Sequence, residues 1–208
     1  MNKIIEFPTN RSFKMEQAIK AFDAGDDSVE LAEEFRSLAN DGFPEADYFL
    51  GCMYEDGTNG LSKELPLALN HYEKAADEIG YLEAYLAQGR LLYHGEGGID
   101  KDLYRTKNIY ELVKDYNHHP VACFMLGRMY QYEEGVKKDL NKAERLYNMA
   151  IEQGSIYGML NLAMLYAEKK MYFSSLVLRI RAGIQTSLIH YKHLNSGKNL
   201  LDPRLRGG

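Results

Sequence analysis

The sequence predicts an all-α chain of stacked helix pairs, and three observations carry that expectation. Three windows stand in register: EADYFLGCMY from Glu45, EAYLAQGRLL from Glu83 and VACFMLGRMY from Val121. Each carries alanine at one position (Ala46, Ala84, Ala122, 38 residues apart both times) and glycine five residues later (Gly51, Gly89, Gly127). A second ladder follows each window: Gly60-Leu61-x-x-Glu64, Gly98-Ile99-x-x-Asp102 and Gly135-Val136-x-x-Asp139, with a tyrosine eight residues past each acid (Tyr72, Tyr110, Tyr147). Within a window the small and apolar residues Ala46, Phe49, Leu50, Met53 and Tyr54 keep the spacing of a helix with one buried stripe. A period of 36–39 residues implies units too small to bury their own apolar faces, which stack to do so.

The elements follow in order. Residues 12–42 read as a degenerate first pair, with a capping box at Asp27-x-x-Glu30 and an apolar ladder through Leu31, Phe35 and Leu38. In the unit 45–80, Gly51 sits on the buried stripe of the first helix. Its helix-propensity cost of ~1 kcal/mol calls for a packing reason, namely close approach of the second helix. The GTNG loop ends that helix, Pro66 fits only the first turn of the next, and Gly80 closes it. The unit 83–118 repeats the plan with a GEGG loop and Asp102 as N-cap, although Gln88, Leu92 and Thr106 depart from the pattern. The unit 121–154 has Asp139 in the capping place and Gly154 at its end. The unit 157–185 repeats the first-helix pattern from Gly158 to Tyr166 but lacks the glycine loop, as suits a terminal repeat. Residues 186–208 read as a basic tail, either an accidental extension that frays or packs opportunistically or a basic arm that docks on an acidic surface such as the chain's own body.

Composition narrows the function. The 208 residues carry a net charge of −5, but residues 1–170 hold 19 basic and 29 acidic side chains, against 6 and 1 after them. An acidic body repels phosphate backbones, so no nucleic-acid partner is expected. No apolar run approaches a membrane span and the first ten residues lack a leader's apolar core, so a cytoplasmic protein with no membrane partner is expected. Cys52 and Cys123 are too few for a disulfide framework and lack zinc-ligand spacing. His118-His119 beside Pro120 suits a solvated turn, and His190-x-x-His193 has no third ligand near it. No serine is followed three residues on by lysine, and the phosphate-loop, dinucleotide and metalloprotease motifs are missing. The expectation is a non-enzyme without metal or cofactor.

The Ala-x-x-x-Leu-Gly-x-x-Tyr first helix, the Gly-Val-x-x-Asp loop and Lys142-Ala143 to Tyr147 resemble the Sel1-like repeat family, a cousin of the tetratricopeptide repeats. That resemblance implies a right-handed α/α superhelix of about five helix pairs, monomeric or weakly associated, that binds a protein or peptide on its concave face. By similarity to tetratricopeptide repeats the first helices line that face. With Ala46 as position one, positions three, seven and ten are Tyr48, Cys52 and Glu55; Leu86, Arg90 and Tyr93; Phe124, Arg128 and Gln131; and Leu160 and Met164, with Ala167 completing the last set. Tyr48, Leu86, Phe124 and Leu160 have an alternative place in the inter-repeat core. Arg90 and Arg128 would form a positive seam for an acidic ligand. Two roles are open: a general adaptor, or a bacterial immunity protein whose acidity neutralises a basic toxin domain through fast, steered association.

Overall fold

The structure, a computed structural model, describes residues 13–196. Ten α-helices and no strand occur among them: α1 Phe13–Asp23, α2 Val29–Asn40, α3 Glu45–Asp56, α4 Leu65–Ile79, α5 Leu82–His94, α6 Leu103–Asn117, α7 Pro120–Tyr132, α8 Leu140–Glu152, α9 Ile156–Glu168 and α10 Tyr172–Ser196. They make five consecutive pairs, and the chain forms two compact units divided between Asn117 and His118. The expected tail from residue 186 begins inside α10, which continues to Ser196; residues 197–208 lie outside the described part.

In the first unit, α1, α2 and α3 share a core of Met15, Leu31, Phe35, Leu38, Phe49 and Leu50. Phe35 and Phe49 stack with centroids 4.8 Å apart, and Phe22 meets both edge-on. The capping box expected at Asp27-x-x-Glu30 is not the cap. Ser28 holds the N-cap and accepts from the Leu31 amide. Asp27 instead accepts from the backbone N–H of buried Asn59, whose side-chain amide donates to the carbonyls of Asp26 and Ser28. The loop after α3 is thus fastened to the start of α2, which satisfies an otherwise orphaned buried amide.

The repeat has one physical device at its centre. A Cβ built on Gly51 would stand 2.5 Å from a ring carbon of Tyr72; on Gly89, 2.8 Å from Tyr110; on Gly127, 2.6 Å from Tyr147. Each second-helix tyrosine sets a ring edge against the first helix where a side chain is missing, and all three tyrosines are buried. A second device closes the inter-helix loop. The backbone N–H of Glu64, Asp102 and Asp139 donates to the carbonyl at position nine of its own unit, Tyr54, Leu92 and Tyr130, at 2.8–3.0 Å. Asp102 and Asp139 also cap with their side chains, accepting from Arg105 and from Asn141 and Lys142, whereas Glu64 makes no side-chain cap and is followed by Pro66 in the first turn. Thr106, the departure from alanine in the third pair, is fully buried and donates its hydroxyl to the Asp102 carbonyl, so it packs as an alanine with its polar atom satisfied.

In the second unit α7 and α8 bury Ala122, Leu126, Met129, Ala143 and Tyr147 between them, and α9 adds Leu162, Ala163 and Leu165. The last pair has its own link: Ser175 of α10, 5 % exposed, donates to the Ala163 carbonyl at 2.7 Å. Glu144 on α8 accepts from Tyr166 at 2.9 Å and from Lys169 at 2.6 Å, tying α8 to the end of α9.

Candidate functional site

The first helices of the pairs were expected to present a binding face, and the two units use that face differently. In the first unit its residues are engaged with one another. Tyr48 lies among Phe49, Tyr72 and Tyr81, the last edge-on at 5.0 Å. Cys52 is buried beneath the Tyr72 hydroxyl, which donates to Glu55 at 2.8 Å. Arg90 of α5 donates to both Glu55 oxygens of α3, at 2.5 and 2.6 Å. Burial alone would lower the Arg90 guanidinium, but the Glu55 carboxylate outweighs it and holds the group above its usual value. Burial, reinforced by Cys52 and Glu55, pushes the Tyr72 phenol well above its usual value, so it remains a donor. The set Tyr72–Glu55–Arg90 is therefore an internal clasp between neighbouring repeats. Arg90 spends its charge on Glu55, which removes it from the positive seam expected with Arg128. Leu86 is half-buried and Tyr93 is 4 % exposed beside Lys101, 5.2 Å above its ring.

In the second unit the corresponding face is open. α7 packs directly beside α9, and the two helices present apolar side chains outward in matching places. Phe124 is half-buried, with its ring 5.8 Å from that of Tyr157. Tyr157, Leu160 and Met164 are 50 %, 39 % and 47 % exposed on α9. On α7, Val121 and Tyr132 are exposed and bracket Phe124 and Arg128, whose guanidinium stands 6.0 Å from the Tyr132 ring. Gln131, expected on this face, is buried instead: it accepts from the Tyr147 hydroxyl at 2.8 Å and donates to Glu168 at 3.3 Å.

Position ten therefore points inward in these repeats, at Glu55, Tyr93 and Gln131, and its work is to meet the second-helix tyrosine. It lies about 60° round the helix from position seven, on the side of half-buried position three. In α7 and α9 the outward ladder is instead zero, three, seven and eleven, which adds Val121, Tyr132 and Tyr157 to the face. An i, i+3, i+7, i+11 count starting from Tyr157 or Val121 would have found them. Among the described residues no group of three or more His, Cys, Asp or Glu is placed to hold a metal ion, and no helix is long and apolar enough to cross a membrane.

Comparison with known proteins agrees with this architecture. Residues 44–78, 82–111 and 120–155 match the Sel1 repeat. Protein sel-1 homolog 2 of Mus musculus is 34% identical over 93 residues, 45% of this chain; the match spans 13% of that protein's length. Among solved structures, a Sel1 repeat protein from Oxalobacter formigenes superposes with a TM-score of 0.71 at 26% identity, over 83% of this chain and 74% of that one. Immunity protein Pa5087 from Pseudomonas aeruginosa shares the fold, with a TM-score of 0.55 at 16% identity over 89% of this chain and 72% of its own.

Proposed function

We propose, from the premise that residues 44–155 belong to the Sel1 repeat family, that this chain is a non-enzymatic protein-interaction module whose partner is held on the α7–α9 face. The observation that carries the reading is the contrast between the two units. Positions three and seven are closed by the Tyr48 cluster and by Arg90 bound to Glu55 in one, and stand exposed as Leu160 and Met164, beside exposed Tyr157, in the other. Aromatic rings, a methionine and an arginine in one patch are the residue types that dominate binding energy when a partner excludes water from them. The partner that fits is a protein segment with one or two bulky apolar side chains and a carboxylate within reach of Arg128. A cytoplasmic address belongs to the same reading.

The experiment is a capture from native lysate with immobilised wild type and with a Phe124→Glu/Met164→Glu variant, both checked for helicity. A protein retained by the wild type and lost from the variant supports the face. The same proteins retained by both would place the interaction elsewhere.

A second reading is specific in the same way: a bacterial immunity protein that neutralises a cognate toxin. It is favoured by the shared fold with an immunity protein and by the acidity of residues 1–170, which suits a basic toxin domain. In that case the captured partner binds with a dissociation constant on the order of 1 nM or below, and its association slows steeply with salt. An adaptor complex is weaker and less sensitive to salt.

A further inference from the structure

The geometry points to a second docking surface, on the outward face of α10, whose occupant is an amphipathic helix of a partner protein with acidic residues on both sides of its apolar stripe. Phe173, Leu176, Val177, Ile180, Ile184 and Leu188 are all exposed, from 47 % at Val177 to 80 % at Phe173. Their spacing puts them on one side of the helix, along about 23 Å of its length. The opposite side, with Ser175 and Ala182 buried, packs on the rest of the unit. A continuous apolar stripe of this length left in water marks an interaction site.

Three features choose the occupant. Gly183 is the first. Gly51, Gly89 and Gly127 each answer to a tyrosine ring, but a Cβ on Gly183 would meet nothing within 4 Å. Within this unit, packing thus gives no reason for a mid-helix glycine, which costs ~1 kcal/mol relative to alanine. Gly183 and Ser187 lie one turn apart at the stripe and form a notch that lets a second helix approach closely. The second feature is polar satisfaction: Ser187 donates to the Gly183 carbonyl and Thr186 to the Ala182 carbonyl, both at 2.9 Å. A helix can cover these hydroxyls without stranding them.

Charge is the third feature. Residues 172–196 contain no acid, and Arg179 and Arg181 lie about 100° either side of Ile180. A second copy of α10 packed antiparallel about the stripe's midpoint would bring these arginines together, which opposes self-association. An anionic membrane attracts clusters of about four to eight basic residues; α10 carries three, Arg179, Arg181 and Lys192, which falls short. An acid-flanked helix satisfies both the stripe and its rims.

The test uses the full chain and two synthetic amphipathic helices with the same Leu/Ile stripe, one flanked by Glu and one by Lys, titrated by calorimetry. The Glu-flanked helix binds with a dissociation constant on the order of 10 µM, and the Lys-flanked helix at least about tenfold more weakly. Ile180→Glu and Gly183→Leu each abolish binding while the melting temperature holds, since both sites face open space. Arg179→Glu/Arg181→Glu reverses the preference. Phe124→Glu leaves the titration unchanged, which separates this surface from the α7–α9 face. Absence of binding, or no preference between the probes, overturns the proposal. So does co-sedimentation with phosphatidylserine vesicles or a concentration-dependent dimer, if Ile180→Glu abolishes it. A crosslink from Lys198 to α10 within the free chain also overturns it, because the occupant would then be the chain's own tail.

Discussion

Gly89 and Tyr110 belong together in a way that neither residue announces alone. The glycine ladder predicts a close approach, the tyrosine ladder predicts an apolar second helix, and the structure puts one ring edge on one bare Cα in each of the three central repeats. Gly89→Ala should therefore destabilise by about 2 kcal/mol through overpacking, although alanine is the better helix former. A thermal melt as high as the wild type's would contradict the contact. The opposite outcome is expected where Glu133 ends α7 at φ +61°, the place that Gly57 and Gly95 fill after α3 and α5. A non-glycine residue in that conformation costs about 1 kcal/mol, so Glu133→Gly should raise stability in urea unfolding. The clasp is the third case. Arg90→Ala leaves the Glu55 carboxylate, 19 % exposed, with Tyr72 as its donor, and should cost about 1–2 kcal/mol. What sequence could not reveal here is direction: the periodicity gives a stripe, but a rotation of about 60° decides whether Glu55, Tyr93 and Gln131 meet a partner or a tyrosine.

At the scale of elements, the helix pairs were legible because loop glycines, capping acids and apolar spacing agree with each other, and each agrees with the pair packing. The capping acid at Asp139 performs as its position predicts, while Asp27 does not, since Ser28 beside it is an equal cap and Asn59 competes for the carboxylate. Such a choice depends on a residue 32 positions away and is invisible locally. The joint between α8 and the end of α9 makes a pH prediction. Glu144 is held below its usual carboxylate value chiefly by the Lys169 hydrogen bond, against the opposing effect of burial, with Tyr166 assisting. Its contribution is complete above the unfolded carboxyl's 4.5 and is lost as pH falls through the lower folded value. Chemical denaturation between neutral pH and pH 3 should thus fall less steeply for Glu144→Gln than for the wild type; equal slopes would refute the tie. For α10, the side chains from Thr186 to His190 are all exposed, and the Gln185–Gly154 hydrogen bond at 3.3 Å lies just before them. Ending the chain after Gln185 should then shift the melting temperature by less than about 3 °C.

For the whole molecule, repetition makes architecture easy to read and function hard. The same offsets that reveal the units assign every unit the same face, yet one unit closes that face with a salt bridge and an aromatic cluster while the other leaves it to solvent. That difference arises from substitutions at equivalent positions, Glu55 and Arg90 against Gln131 and Met164, whose consequence depends on which neighbours they meet. Stability and binding should accordingly separate along the chain. The most direct measurement is the affinity of the captured partner, by calorimetry, for wild type, Arg90→Ala and Phe124→Glu/Met164→Glu, with unfolding free energies for each. The account predicts that Arg90→Ala lowers stability and keeps affinity, while the double variant keeps stability and weakens binding by at least about a hundredfold. Affinity lost in Arg90→Ala and retained in the double variant would contradict it.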